Sequence, residues 1–164
     1  MNSKTLRLFI GISAIFILFA VISWFIKAYK LPPELKSERE EIKSETGISH
    51  RIADFKGYYV LVCYFQTWCG DCIEELASID ALQTKVGKDR IKVLMITDEG
   101  WKKIIHFKDK YCNTLDYYQS TTSLNSMNIR VFPTTYLLDK DGKILMSKIQ
   151  SFDWSSNEVL QRIK

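Results

Sequence analysis

The first hydrophobic pattern along the chain is an uncharged run of 19 residues at positions 8–26. As an α-helix rising about 1.5 Å per residue, this run spans roughly 28 Å, close to the thickness of a bilayer core. It is apolar on every face, and it ends in Trp24, Phe25 and Ile26 rather than in the small residues of a signal-peptide cleavage site. The pattern therefore predicts an uncleaved single-pass transmembrane anchor over residues 1–30, with a cleaved signal peptide as the alternative.

A charged segment over residues 31–49 follows the apolar run and is interpreted as a tether. Pro32 and Pro33 predict the end of the first helix. Basic residues after the run outnumber those before it, which by a literal positive-inside count favours a cytoplasmic domain. Glutamates lie among them, however, and the rule weakens for large translocated domains, so charge alone leaves the topology open.

From His50 onward the pattern changes to that of a folded domain, predicted over residues 50–164. Residues 58–65 form a continuous apolar, β-rich run that is typical of a strand buried on both faces. A helix is predicted to follow from about Cys69 to Val86, because apolar residues recur on one side and Gly87 suits its end.

Further elements alternate along the rest of the domain. Strands are predicted at residues 91–96, at 115–118 as a short edge strand, and as a hairpin at 134–138 and 143–149. A second helix is expected to begin with Asp98 as its cap and to bury Trp101, Ile104 and Ile105 on one face; a last helix is expected to begin at a capping box of Ser155 and Glu158. The order β-α-β-α-β-β-α predicts an α/β sandwich with a mixed sheet.

Composition excludes several other classes of protein. Of the 164 residues, 46% are hydrophobic and 26% are charged, which is not the composition of a disordered chain. The 23 Lys and Arg against 19 Asp and Glu give a net charge of only +4 without a basic stripe, so no nucleic-acid partner is expected. Four cysteines are too few for a disulfide-stapled miniprotein.

Cys69 and Cys72 lie where the buried strand gives way to a helix, and they are the candidate catalytic residues. Unpaired N–H groups and the positive end of the helix dipole favour the thiolate of Cys69, which suits it as the nucleophile in disulfide exchange. Cys72, one turn further, suits the resolving thiol. The alternatives are a purely structural disulfide or half of a zinc site, although Cys63, Cys112 and the two histidines supply no matching ligand motif.

At this point the sequence resembles a known family. YFQTWCGDCIEE, residues 64–75, looks like the active-site segment of thioredoxin-like proteins. IRVFPTTYLLDKDG, residues 129–142, is similar to the cis-proline loop and following hairpin of membrane-anchored thiol–disulfide oxidoreductases of the TlpA/ResA type. The resemblance covers roughly residues 50–164 and implies an α/β thioredoxin fold.

The resemblance also implies a substrate-binding surface. Pro133 is expected to be cis and to face the dithiol, which would place the backbone of Phe132 beside Cys69, where a substrate strand can pair with it. Trp68 matches the family tryptophan that covers the site; ordinary half-buried packing is the alternative. Glu75 matches an active-site glutamate of ResA-like members, which could accept the proton of the buried thiol; the alternative is a solvated helix carboxylate.

Several residues depart from the family pattern. Asp71 replaces the proline common between the cysteines, and its charge is expected to raise the pKa of Cys69. Cys63 stands where thioredoxin has a buried aspartate, which gives Glu75 more weight as proton acceptor; Cys63 is expected to be an inert buried thiol, with a third redox thiol as the alternative. Cys112 is expected at a helix end and His106 in solvent.

Together these observations predict a membrane-tethered thiol–disulfide oxidoreductase of the cytoplasmic membrane, with its domain on the periplasmic side. It would reduce disulfides of exported proteins; the resemblance adds apocytochrome c, and thus cytochrome c maturation, as a candidate role. A membrane electron donor would restore the dithiol, and no soluble cofactor or metal is needed. The alternatives are a dithiol oxidase, a copper-handling assembly factor, which lacks a matching histidine motif here, and a non-catalytic binding module.

Overall fold

The computed structural model describes residues 3–30, 34–35 and 37–163 of the chain. The chain divides into two compact units, Met1–Leu31 and Pro32–Lys164. The first unit contains one helix, α1 (Ser3–Lys30), and the side chains described in it, residues 11–24, are exposed. Among the described residues, no helix has both the length and the apolar character needed to cross a membrane. Pro32 and Pro33, predicted to end the first helix, lie outside the described residues.

The second unit is built on a seven-stranded mixed sheet with the order β2-β1-β5-β4-β3-β6-β7. The strands are β1 (Glu41–Ser44), β2 (Ser49–Arg51), β3 (Tyr59–Tyr64), β4 (Ile91–Thr97), β5 (Asp116–Ser120), β6 (Thr134–Leu138) and β7 (Ile144–Ile149). The helices are α2 (Gly70–Val86), α3 (Trp101–Tyr111) and α4 (Asn157–Leu160), and two 3₁₀ turns span Ile52–Phe55 and Leu124–Met127.

Strand β3 occupies an interior position, parallel to β4 and antiparallel to β6. All six of its residues are buried, because both faces of the sheet are covered. Successive side chains of a strand point to opposite faces, so Cys63 belongs to one core and Tyr64 to the other. The first core packs helices α2, α3 and α4 against the sheet, and the second packs the 3₁₀ turns and the segment before β1.

A buried carboxyl group fastens the segment before β1 to the second core. Glu40 is buried, and the hydroxyl of Tyr64 donates a hydrogen bond to its Oε2 atom. Its Oε1 atom has no hydrogen-bond partner among the described residues. Burial raises the pKa of Glu40 to about 7, because the charged form loses its hydration there.

Part of the segment predicted as a tether belongs to the sheet. Strand β1 pairs with both β2 and β5, which places residues 41–44 inside the fold and the start of the domain before His50. The hydrophobic pattern gives little sign of this strand, since Ile42 is its only buried residue and its neighbours are polar or charged. Because β1 pairs with β5, β5 is an interior strand between β1 and β4 and not the edge strand that was predicted.

The predicted caps of two helices also differ from the structure. The N-cap of α3 is Gly100, and the buried side of the helix carries Ile104 and Phe107, while Ile105 is exposed. Asp98 instead accepts tertiary hydrogen bonds, described with the site below. The capping box before α4 does not form; Ser155 donates its hydroxyl to Asp153 at 2.7 Å, and the N-cap is Ser156.

Candidate active site

The two cysteines of the predicted dithiol lie at the start of α2. Cys69 is the N-cap residue of the helix, and its Sγ atom accepts a hydrogen bond from the backbone N–H of Cys72 at 3.1 Å. The two residues form a disulfide with their Cα atoms 5.3 Å apart. Cys69 is 7% exposed and Cys72 is 1% exposed. The more exposed residue of the pair is therefore the one whose sulfur accepts a hydrogen bond from the helix N-terminus, an interaction that would stabilise a thiolate there.

A buried carboxylate lies one turn further along α2. Glu75 is 1% exposed, so it is not the solvated residue considered as the alternative. Its Oε1 atom accepts a hydrogen bond from Trp154 Nε1 at 2.6 Å. Its Oε2 atom accepts bonds from Thr135 Oγ1 at 3.3 Å and from Cys63 Sγ at 3.6 Å. Glu75 thus has three side-chain donors, and two of them, Cys63 and Trp154, belong to the same core as Cys69 and Cys72.

The environment of Glu75 prepares it for proton exchange. Burial raises its pKa to about 7, and the hydrogen bonds from Trp154, Cys63 and Thr135 act in the opposite direction and limit the rise. A carboxyl group with this pKa exists in both protonation states near neutral pH. It can therefore accept or return a proton in a thiol reaction at that pH.

The three donors come from parts of the chain that are far apart in sequence. Cys63 on β3 and Thr135 on β6 are direct register partners, so the sheet places both beside Glu75. Trp154 is fully buried in the loop before α4, and its backbone N–H donates to Ser78 Oγ at 3.2 Å. Neither Thr135 nor Trp154 was singled out from the sequence. Thr135 lies inside the cis-proline motif and could have been found there, whereas no local signal links Trp154 to α2.

Cys63 has the properties of a protonated thiol rather than of a nucleophile. It is 1% exposed, and burial together with the charge of Glu75 raises its pKa well above the usual range. The thiol of Cys63 donates a hydrogen bond to the Glu75 carboxylate and helps to hold it in place.

Two predicted substrate-binding residues contact each other beside the disulfide. The Phe132–Pro133 peptide bond is cis, as expected from the motif. Because Thr134 pairs with Tyr64, Pro133 lies at the end of β3 from which the dithiol loop leaves. Trp68 is 71% exposed and meets Phe132 edge to face, with ring centroids 6.1 Å apart. The exposure of Trp68 excludes half-buried packing and leaves an aromatic surface next to Cys69.

Hydrogen bonds hold the loop before Cys69 to the start of α3. Gln66 Nε2 donates to Asp98 Oδ1 at 2.8 Å, and the other oxygen of Asp98 accepts the N–H of Leu124 at 2.9 Å. The N–H of Thr67 donates to Glu99 Oε2 at 2.6 Å. Asp98 is thus used by tertiary bonds, which explains why it does not cap α3.

The remaining sequence candidates lie apart from this network. Cys112 is the C-cap of α3, as expected, and is half-buried with its sulfur 3.2 Å from Thr114 Oγ1. His106 and Asp71 are exposed. Within the described part of the chain, no group of three or more His, Cys, Asp or Glu side chains could hold a metal ion.

Comparison with known proteins gives one family and several relatives. The AhpC/TSA family matches residues 33–147. Thioredoxin-like protein YneN of Bacillus subtilis (strain 168) is 29% identical over 108 residues, which cover 63% of this chain and 63% of the relative. Thiol-disulfide oxidoreductase ResA of Geobacillus kaustophilus (strain HTA426) is 27% identical over 101 residues, covering 60% of this chain and 58% of the relative. The matches thus span less than two thirds of these relatives' own length.

A solved structure supports the fold. The thiol-disulfide oxidoreductase from Bacteroides fragilis NCTC 9343 aligns with a TM-score of 0.65 at 23% identity, over 79% of this chain and 100% of that chain. The thioredoxin-like α/β fold is therefore confirmed. The matches to the ResA relatives confirm the resemblance to thiol–disulfide oxidoreductases of the TlpA/ResA type, whereas the membrane anchor stays a prediction.

We expect the free energy of unfolding of the oxidised protein to fall as the pH rises from about 4.5 to about 7. Burial raises the pKa of both Glu75 and Glu40 to about 7, so the folded state holds two protons that the unfolded chain releases in this range. The loss is on the order of 3 kcal/mol for each group. Urea unfolding at a series of pH values measures it.

The variants Glu75→Gln and Glu40→Gln separate the two contributions. Each substitution should reduce the pH dependence of the unfolding free energy by the contribution of the carboxyl group that it removes. The double variant should show the smallest pH dependence. A profile with the parent's slope in Glu75→Gln would contradict the raised pKa of this carboxyl group.

Proposed function

We propose that this chain, which belongs to the AhpC/TSA family, is a thiol–disulfide oxidoreductase that works through Cys69 and Cys72. The observation that carries the proposal is the disulfide at the N-terminus of α2, with the Cys69 sulfur bonded to a helix N–H. The relatives named thiol-disulfide oxidoreductase ResA support it over the part of the chain that they match.

In the reductive direction the reaction is two successive exchanges. The Cys69 thiolate attacks one sulfur of a client disulfide, and the other client sulfur leaves as a thiolate that takes up a proton. Cys72 then loses its proton and attacks the Cys69 sulfur of the mixed disulfide. This step releases the second client thiol and leaves the Cys69–Cys72 disulfide, so two electrons pass from the dithiol to the client. A donor must return two electrons before the next cycle.

Glu75 is the proton acceptor that we assign to the second exchange. It lies three residues after Cys72, on the same buried side of α2. The charged form can take the proton of Cys72, and the protonated form cannot. Because burial raises the pKa of Glu75 to about 7, the resolving step should accelerate as the pH rises through that value. Trp154, Thr135 and Cys63 act as positioning residues for the carboxylate.

The reducing direction and the membrane setting are part of the proposal. The uncharged run at residues 8–26 supports a membrane tether. The extracytoplasmic side is proposed from the chemistry, because disulfides form and persist in oxidising compartments. Exported proteins with disulfides, apocytochrome c among them, would then be the clients, and a membrane protein would be the electron donor. A dithiol oxidase remains the principal alternative because the same two exchanges run in both directions.

A trapping experiment tests the catalytic pair. The Cys72→Ser variant should accumulate mixed disulfides between Cys69 and client proteins, since it lacks the thiol that resolves them. Non-reducing electrophoresis after acid quenching of cells detects these species, and mass spectrometry identifies the bridge. The matched control Cys69→Ser should form none. If Cys72→Ser forms no mixed disulfide although its Cys69 is open to alkylation, the proposed function fails.

The assigned role of Glu75 gives a kinetic expectation. Glu75→Gln should slow resolution of a preformed mixed disulfide by about 10²-fold and remove the rise in rate near pH 7, because the amide cannot accept the proton. Stopped-flow release of the client thiol measures this step. Glu74→Gln, an exposed neighbour on the same helix, is the matched control and should keep the parent's profile. An unchanged pH profile in Glu75→Gln would contradict the assignment.

The reduction potential of the Cys69–Cys72 pair decides the direction. We expect a value near about −270 mV, as for a reductant, rather than near about −120 mV, as for a strong oxidant. Equilibration with redox buffers followed by alkylation of the free thiols measures it. A value at the oxidising end would replace the reductase with the oxidase.

A further inference from the structure

We propose that a basic groove along α3 binds an acidic segment of the client polypeptide, so that the protein prefers disulfides with Asp or Glu residues nearby in the client chain. This inference rests on the proposed function and specifies its substrate class. The groove has a volume of about 570 Å³. Its walls include Thr67, Lys102, Lys103, His106, Lys110 and Tyr111.

The groove begins at the dithiol loop. Thr67 precedes Cys69 by two residues, and two residues of extended chain span at most about 7 Å. The bond from the Thr67 N–H to Glu99 and the ion pair between Glu99 and Lys103, at 2.8 Å, connect the loop to the wall of the groove. A client whose sulfur is bonded to Cys69 can therefore extend directly into the groove.

The groove is positively charged, and most of its lysine side chains can interact with a bound partner. Its lining contains three lysines and no Asp or Glu. Glu99 neutralises Lys103, but no ion pair involving Lys102 or Lys110 occurs in the described part of the chain. Lys108, on the same helix, is already paired with Glu45 at 2.8 Å. Two exposed ammonium groups thus remain for carboxylates of a bound partner.

The shape of the groove suits a peptide chain. Its floor includes Phe107, which is buried and packs against Phe65 with ring centroids 5.0 Å apart. The Lys110 ammonium lies 4.9 Å from the ring centroid of Tyr111, a cation–π contact that orients the lysine beside an apolar surface. The exposed ring of Tyr111, with the Lys110 ammonium beside it, can contact both the aliphatic and the carboxylate parts of an acidic side chain.

Asp71 sets where the acidic residues of the client must lie. This exposed residue follows Cys69 by two positions and repels carboxylates that come close to it. The preference should therefore arise from acidic residues several positions from the client cysteine, where the chain has entered the groove, and not from residues adjacent to the disulfide.

The test uses the full-length chain in a non-ionic detergent, reduced beforehand. The substrates are three peptides with the same disulfide and with three Glu, three Ser or three Lys residues placed four to six positions from one cysteine. The second-order rate constant for each is divided by that for dithiothreitol, which corrects for the intrinsic reactivity of the peptide. We expect the normalised rate constant of the Glu peptide to exceed that of the Ser peptide by about 10-fold at low ionic strength. This ratio should fall when salt is added.

The charge variants make the assignment specific to the groove. In Lys102→Gln/Lys110→Gln the ratio of Glu to Ser rate constants should approach one. The matched control is Lys92→Gln/Lys143→Gln, which removes two lysines near the opposite end of β3 and should keep the parent's ratio; Lys92, like Lys110, lies over a tyrosine ring. An equal fall in both double variants would mean that only the net charge matters and would overturn the proposal.

Competition distinguishes the occupants of the groove. A cysteine-free acidic peptide should inhibit reduction of the Glu peptide, whereas inorganic phosphate at the same ionic strength and vesicles of phosphatidylglycerol should not. Inhibition by phosphate or by the vesicles to the same degree would assign the groove to small anions or to a lipid surface and overturn the proposal. If the parent reduces no peptide, the proposed function itself fails; if it reduces the Glu and Ser peptides equally, only this inference does.

Discussion

The site depends on one capping interaction, the hydrogen bond from the Cys72 N–H to the Cys69 sulfur at the N-terminus of α2. A helix begins with N–H groups that need an acceptor, and here the acceptor is the atom that undergoes the chemistry. Its position is determined by β3, which is buried on both faces and ends at Tyr64, a few residues before the cap. Because β3 is buried on both faces, its position in the sheet is fixed, and this in turn fixes where the Cys69 sulfur lies.

The same sheet buries two carboxyl groups on opposite faces, and each has a different consequence. Glu75 has three side-chain donors, so its charged form is partly compensated and it can change protonation state beside the dithiol. Glu40 has one donor in Tyr64 and an oxygen without a partner in the described residues, so its neutral form is the better suited to its place. In the proposed mechanism the first group exchanges a proton, whereas the second holds the chain segment before β1 through Tyr64.

Local patterns in the sequence were sufficient to predict the elements at the centre of the fold. The other features depend on contacts between residues that are far apart in the chain. Strand β3, helix α2 and the β6–β7 hairpin have continuous or periodic apolar residues, so their boundaries could be predicted closely. Strand β1 has only Ile42 buried, and its place depends on pairing with β5 about 75 residues later in the chain. The hydrogen bond from Trp154 to Glu75 likewise joins residues 79 positions apart, and no spacing rule reveals such a contact.

We assign sulfur exchange to α2 and client selection to α3, because these two processes require different contacts. Sulfur exchange needs two thiols in contact and a proton acceptor, which we propose to be Glu75, and all three come from the first two turns of α2, where helix geometry fixes their spacing. Selection among clients needs contacts spread along the client chain, which this short segment of α2 cannot supply. A second helix tied to the dithiol loop by Glu99 can supply them, because its surface side chains can vary without moving either sulfur. The residues that choose the client are therefore expected to lie on α3, outside the motif that identifies the chemistry.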